Sequence, residues 1–451
     1  MSNAITTLVG EELADGYKWW GTMAAPNGSL YGIPCNTGRV LKFNPVDKSI
    51  THIGPDFGNG HWWYRGAMTI SGIIYCPPCD FDDHGIRKID TNTNTVTVLN
   101  RNLLFLPEQD TDMMWMSCAA AIDGCVYFMP SNACRIMKLD PNNNDAMSIV
   151  GDDLRNEEGM TYVGTVVGID GCVYGIPYFS SLIIRYNPIN DTTSFVGEEI
   201  DCYFLCTGNG ALGRDGCIYA LAENARVLKI DTINNSHEFV VNRTSTELDY
   251  DDFQEVGHDA ILGIDGCIYW PPYRAKRTLK YDPYTNQISL VGCDFVSKDR
   301  KWSSGALASD GVIYSIPTGA KQVLAIDPWG EFSETTNSNM EDHPEKFGLL
   351  FHINEVVGGS ALSRTNFDHA VVKFGQRKVF EVLEKAMKPV NVYCQEHNLC
   401  PFMIVASYKE TSTLSVINHL LRRDLSWVDN CRCSLEGNAL LNKKRKHNSL
   451  K

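Results

Sequence analysis

No stretch of about 18 uninterrupted apolar residues occurs in this 451-residue sequence, which leaves no candidate for an ordinary helical membrane span. Met1-Ser2-Asn3-Ala4-Ile5-Thr6-Thr7 has neither the basic end nor the apolar run of an export signal, so an intracellular, cytoplasmic location is the expectation. Catalytic signatures are missing as well: there is no Gly-x-Ser-x-Gly, His-Glu-x-x-His or P-loop phrase. Gly208-Asn209-Gly210-Ala211-Leu212-Gly213 has dinucleotide-like glycine spacing, but it runs into a strand rather than a helix, so no helix N-terminus is there to cradle phosphate. With 43% hydrophobic residues, 21% charged residues and a net charge of −14, the chain is neither disordered nor collagen-like.

What the sequence does have is a repeat. A turn-Gly-x-aliphatic-Tyr phrase recurs at Asn27-Gly28-Ser29-Leu30-Tyr31, Ser71-Gly72-Ile73-Ile74-Tyr75, Asp123-Gly124-Cys125-Val126-Tyr127 and Asp170-Gly171-Cys172-Val173-Tyr174. It continues at Asp215-Gly216-Cys217-Ile218-Tyr219, Asp265-Gly266-Cys267-Ile268-Tyr269 and Asp310-Gly311-Val312-Ile313-Tyr314. Tyr31 to Tyr314 spans 283 residues in six intervals, about 47 each. Four of the 16 cysteines fall at this one position, so they are equivalent points of a repeat and read as small, buried, reduced thiols rather than disulfide partners.

Each unit reads as four short strands. A first segment of small residues, such as Gly305-Ala306-Leu307-Ala308, passes through the Asp-Gly pair, whose glycine supplies positive φ, into the Ile-Tyr strand. A third strand such as Arg226-Val227-Leu228-Lys229-Ile230-Asp231 ends at an Asp-Pro-type turn, and a fourth such as Ile288-Ser289-Leu290-Val291 completes the unit. Four antiparallel strands per period predict a mainly β chain, a seven-bladed β-propeller whose small-residue strands crowd a central channel. Ile5 to Leu13 copies the fourth-strand phrase, so the N-terminal strand is expected to close the last blade; Glu331-Phe332-Ser333-Glu334-Thr335 is the competing segment.

These phrases resemble kelch, NHL and lyase-type propellers in the broad sense. They are most similar to the uncharacterised algal-type propeller proteins built on Asp-Gly-Cys-Ile-Tyr and Leu-Lys-Ile-Asp-Pro. The resemblance covers residues 1–335 and implies a fold, not an activity. The double glycine of kelch repeats and the Gly-His and Trp-Asp pairs of WD40 blades are absent.

Beyond the propeller the period changes. Residues 336–365 read as a linker and docking segment, and 366–430 as a small α-helical appendage, with Val371, Phe374, Val379, Val382 and Leu383 at helical spacing. Asn398 to Ala406 and Leu414 to Asp424 resemble one ankyrin-type helix pair, with Cys400 and Met403 where such repeats carry Thr and His. Residues 431–451 form a basic tail; Lys443, Lys444, Arg445 and Lys446 read either as a nuclear-import signal or as a solvated end.

Binding residues are sought in the loops between strands two and three and between strands four and one, which converge on one face. One aromatic residue precedes each inner strand: Trp20, Trp63, Trp115, Tyr162, Tyr203, Phe253 and Trp302. Such a ring either offers stacking surface to a partner or wedges the blades together. The same loops carry acid at Asp152-Asp153, Glu157-Glu158, Glu198-Glu199-Asp201 and Glu247 to Asp252, an arrangement that attracts a cation or basic peptide and repels nucleic acid.

Cys76, Cys79, Asp82, Asp83 and His84 crowd one loop, and His258 and Asp259 start an inner strand with His61 next in rank; these are the metal candidates. Lys42, Lys88, Lys138, Arg185, Lys229 and Lys280 share one blade position and read as a solvent-facing feature. The reading is a non-enzymatic binding or scaffold module for a protein or peptide, basic partners included, with no cofactor, nucleic acid or membrane partner. The rival reading is a metal-dependent hydrolase or lyase working in the channel.

Overall fold

The Asp-Gly phrases fold into the turns of antiparallel hairpins, and their glycines take φ between 77° and 84°. In the computed structural model, residues 4–330 are described apart from 59–62, 78–84, 101–113, 122, 155–161, 201–205, 207, 223–225, 241–256, 298 and 329. The expected linker, helical appendage, ankyrin-like pair and basic tail therefore lie outside the described residues, as does the segment Glu331 to Thr335.

Seven four-stranded antiparallel sheets result. Blade 1 is β2 (Trp19–Ala24), β3 (Leu30–Pro34), β4 (Val40–Phe43) and β5 (Ile50–Ile53); blade 2 is β6 (Ala67–Met68), β7 (Ile73–Cys76), β8 (Gly85–Asp90) and β9 (Thr95–Asn100). Blade 3 is β10 (Trp115–Ala120), β11 (Val126–Pro130), β12 (Ile136–Asp140) and β13 (Ala146–Val150). Blade 4 is β14 (Tyr162–Val167), β15 (Val173–Pro177), β16 (Ile183–Asn187) and β17 (Thr192–Val196). Blade 5 is β18 (Ala211–Leu212), β19 (Cys217–Ala222), β20 (Arg226–Asp231) and β21 (Ser236–Val240). Blade 6 is β22 (Ile261–Leu262), β23 (Ile268–Trp270), β24 (Thr278–Asp282) and β25 (Gln287–Val291).

Blade 7 takes β26 (Ala306–Leu307), β27 (Ile313–Ser315) and β28 (Val323–Asp327) from one end of the chain and β1 (Ile5–Val9) from the other. β1 runs antiparallel to β28, with Ile5 opposite Asp327 and Val9 opposite Val323, so the N-terminal closure expected from the sequence is the observed one. Thr6 also reaches blade 6, its Oγ1 accepting from the backbone N–H of Cys293 at 2.9 Å.

The core lies between sheets rather than within one. Tyr174, Ile176 and Ile183 of blade 4 pack on Ile218, Leu228 and Ile230 of blade 5, and the same exchange joins blade 7 to blade 1 through Tyr314, Ile316 and Val323 against Leu30, Leu41 and Phe43. All of these are buried, and burial of an aliphatic side chain contributes roughly 1.5–3 kcal/mol. Cys125, Cys172, Cys217 and Cys267 are buried free thiols at the strand starts. Burial and the adjacent turn aspartate push the Cys125 thiol up to about 11 and the Cys172 thiol up to about 12.

The repeated aspartate has a second task. Asp265 Oδ1 accepts from the Cys267 N–H, and its Oδ2 accepts from the Tyr269 hydroxyl at 2.7 Å and from Lys280 Nζ at 2.8 Å. Asp123 with Tyr127 and Lys138, and Asp170 with Tyr174 and Arg185, repeat the arrangement. The strand-three cations in these blades thus hold the turn carboxylate rather than simply facing solvent. Ala325 interrupts the series in blade 7, and Lys48 of blade 1 replaces the lost cation by donating to the Tyr314 hydroxyl at 2.6 Å.

Two outcomes follow from these clasps. Asp265→Ala strands a buried tyrosine hydroxyl and a half-buried ammonium and is expected to cost about 2–4 kcal/mol, read from urea unfolding; a loss under about 0.5 kcal/mol would refute the clasp. Burial raises the phenols of Tyr127, Tyr174, Tyr219, Tyr269 and Tyr314 above their ordinary value of 10.0. Their contribution to stability is complete below pH 10 and is lost as pH rises above it, because only the unfolded chain then ionises. The phenolate absorbance of these buried tyrosines and the loss of circular dichroism are expected to rise together in an alkaline titration, after the smaller absorbance step of exposed tyrosines such as Tyr284.

Candidate functional site

The connections from fourth to first strands and from second to third strands open on one end of the ring, and the hairpin turns on the other. At the loop end a β-bulge marks the entry of three inner strands: Trp19 opposes Pro34 while Gly21 opposes Ile33, leaving Trp20 as the extra residue. Met116 and Val163 occupy the same place in blades 3 and 4. A bulge re-aims a side chain and releases its carbonyl from the ladder. The released Trp20 carbonyl accepts from the hydroxyls of Ser303 at 2.6 Å and Ser304 at 2.8 Å.

The bulge separates two roles that the sequence merges. Trp19, Trp115 and Trp302 are buried, and each indole N–H donates to the carbonyl 20 residues ahead, of Arg39, Arg135 and Gln322, at 2.9–3.0 Å. Trp63 is buried against Phe57 and under the Arg87 guanidinium, and Tyr162 is fully buried. The binding role expected of Trp63, Trp115, Tyr162 and Trp302 is therefore corrected: with no face left to solvent they brace the blades and offer nothing to stack on. Tyr203 and Phe253 lie outside the described residues.

Among the described members of the expected ring Trp20 alone is not fully buried, although its indole N–H is, and other aromatic rings gather on it. His258 stacks on it at 4.9 Å, Tyr64 meets it edge-on at 5.3 Å, and Tyr17 and Tyr273 do so at 5.9 Å. The Tyr17 and Tyr273 hydroxyls lie 3.5 Å apart, and Arg300 sits over the Tyr17 ring at 5.4 Å. The cluster draws on the connections entering blades 1, 2, 6 and 7 and on the strand-two-to-three loop of blade 6. Sequence reading missed Tyr17, Tyr273 and Arg300 because they occupy no repeated position.

Behind the cluster the axis is closed. Arg65, entering blade 2, donates through Nε to Asp259 of blade 6 at 2.7 Å and through Nη1 to the bulge carbonyl of Val163 in blade 4 at 3.2 Å. A side chain that bonds to blades 4 and 6 from blade 2 must lie on the axis. Asp259 Oδ1 also accepts from the N–H of Asn209, whose own Oδ1 accepts from the N–H of Thr165. The channel beyond this layer has a volume of about 350 Å³, and its lining includes Met68, Ala120, Val167, Leu212, Leu262 and Leu307.

This corrects the metal reading of His258 and Asp259. The Asp259 carboxylate already holds a guanidinium, whose charge opposes a divalent ion, and the His258 ring stacks on Trp20. Cys76 is buried in β7, whereas Cys79, Asp82, Asp83, His84 and His61 lie outside the described residues. Among the described residues no group of three or more His, Cys, Asp or Glu is placed to hold a metal. Of the expected acid, Asp152, Asp153, Glu198 and Glu199 lie in the connections leaving blades 3 and 4; Asp152, Glu198 and Glu199 are exposed, and Asp153 lies 3.9 Å from Arg135. Glu157, Glu158, Asp201 and Glu247 to Asp252 lie outside the described residues.

No family model and no curated protein matches this sequence. Solved structures do match in shape. Virginiamycin B lyase from Staphylococcus aureus is 12% identical with a TM-score of 0.57, covering 72% of this chain and 99% of the lyase. A streptogramin B lyase is 11% identical with a TM-score of 0.57, covering 72% and 97%. The WD40 propeller domain of Doa1 is 12% identical with a TM-score of 0.50, covering 71% and 96%. At such identities the likeness is one of fold.

Removing one partner of the axial pair leaves a buried charge. Arg65→Met and Asp259→Leu are each expected to cost about 3–5 kcal/mol in urea unfolding, and the double variant to recover most of it. Additive losses would show that the two do not act as a pair.

Proposed function

We propose that this propeller is a non-enzymatic binding module that takes a protein or peptide partner on its loop face, with Trp20 as the anchor. The observation that carries the reading is the partly buried bulge tryptophan with four rings gathered on it, next to an axis crossed by Arg65 and Asp259. Large, rigid aromatic groups with polar edges are the residues that dominate binding energy at protein surfaces. The shared propeller fold of the WD40 domain is consistent with a scaffold role, as fold-level analogy only. The rival, a metal-dependent hydrolase or lyase in the channel, loses its best carboxylate to Arg65 and has no observation of its own to favour it.

Selection of a displayed random-peptide library on the immobilised full chain tests the reading. Selected peptides are expected to share a consensus and to bind Trp20→Ala at least about tenfold more weakly, while Tyr284→Ala, at an exposed turn on the opposite end, binds as the parent does. Circular dichroism of both variants controls for folding. Absence of a consensus, or a consensus indifferent to Trp20, would defeat the proposal.

A further inference from the structure

Most described arginines are already engaged. Arg39 pairs with Asp56, Arg65 with Asp259, Arg135 with Asp153, Arg185 with Asp170 and Arg277 with Asp294, while Arg214 donates to the Ile264 carbonyl. Arg274 and Arg300 differ. Both are exposed, and neither has a carboxylate partner among the described residues. Both act electrostatically on the Tyr273 hydroxyl, and Arg300 also lies over Tyr17. The two unpaired guanidinium groups therefore flank the same tyrosine pair that walls the Trp20 cluster.

The surrounding cations add to this charge without cancelling it. Lys18 is buried beside Tyr17 and donates to the carbonyls of Gly16 and Ala320 at 2.9 and 3.0 Å, and buried Lys301 donates to the carbonyl of Ser297 at 2.6 Å. Burial lowers the Lys18 amine to about 8, so it remains largely charged at pH 7. Of the described carboxylates in the same connections, Asp15 pairs with Lys321 at 3.2 Å and Asp294 pairs with Arg277, Asp299 accepts from the neutral Ser297 hydroxyl at 2.5 Å, and Glu11 and Glu12 are exposed. Among the described residues of these connections cations therefore outnumber carboxylates, although the whole chain carries −14; Glu247, Asp249, Asp251, Asp252 and Glu255, which precede blade 6 in the sequence, lie outside the described residues.

We infer that the loop-face partner is an acidic peptide segment that sets an aromatic or aliphatic side chain on Trp20 and one or more carboxylates on Arg274 and Arg300. This inference rests on the loop-face reading and reverses the basic partner expected from the acidic loops of the sequence. Charge complementarity at these two side chains selects the occupant: guanidinium groups take carboxylates in a forked geometry, and a basic segment would meet like charge at Arg274 and Arg300. The exposed acids Glu198 and Glu199 leave blade 4, on another part of the ring, and do not neutralise this junction.

Fluorescein-labelled peptides with a central phenylalanine flanked by aspartates, lysines or glutamines provide the test, read by anisotropy on the full chain. The aspartate peptide is expected to bind at least about tenfold more tightly than the other two, and to weaken roughly tenfold between about 50 and 500 mM salt. The double variant Arg274→Glu with Arg300→Glu is expected to abolish that preference, and Arg274→Lys with Arg300→Lys to restore part of it. Both positions are exposed, so thermal unfolding is expected to be unchanged. Equal or tighter binding of the lysine or glutamine peptide overturns the acidic partner while leaving the loop-face reading intact. Failure of all three to bind also overturns it, and the library selection then judges the loop face separately. An aspartate preference indifferent to the arginines but lost in Trp20→Ala overturns the assignment of the carboxylate to Arg274 and Arg300.

Discussion

A ring of sheets holds only if its last sheet is completed, and here the completing strand comes from the far end of the chain. Five residues, Ile5 to Val9, pair with Val323 to Asp327 and convert an open stack of blades into a closed circle. Without that pairing β28 would present an unpaired edge, and blade 7 would lack the outer strand that meets blade 6 through Thr6 and Cys293. Every contact across the axis presupposes this closure, including the meeting of residues from blades 2, 4 and 6. The contact is distant in sequence, so the entropy of closing a long loop opposes it, and burial between successive blades must offset that cost.

The sequence makes the blades legible because each carries the same constraints. A turn that needs positive φ selects glycine, a preceding aspartate satisfies the next N–H, and a tyrosine two residues beyond the hairpin start returns its hydroxyl to that aspartate. The aromatic positions were legible only in part. Trp19 and Trp20 are adjacent letters with opposite fates, and the choice between them is made by a one-residue bulge that no spacing rule reveals. The axial ion pair left a fainter mark. Seven residues before each turn glycine stand Gly21, Ser117, Gly164 and Ser304 in four blades, but Arg65, Asn209 and Asp259 in the other three. Departure from the repeat, rather than the repeat itself, points to the residues that meet across the centre.

The same principle governs the loop face. Repeated positions brace the blades, and positions outside the repeat supply the exposed chemistry: Tyr17, Tyr273, Arg274 and Arg300 have no counterparts that periodicity would expose. The propeller thus divides its labour between a periodic frame and an aperiodic surface, which is how one architecture comes to serve unrelated ends. The residues likeliest to be mistaken for a site from composition, the turn cysteines, are instead inert: burial and a neighbouring carboxylate keep their thiols protonated.

Arg65 and Asp259 also decide the topology of the hollow interior. Joined across the axis, they make the passage a well rather than a straight bore, with a polar lid at the loop rim and an apolar wall beneath it. A polypeptide threading the molecule from side to side would have to part that ion pair first.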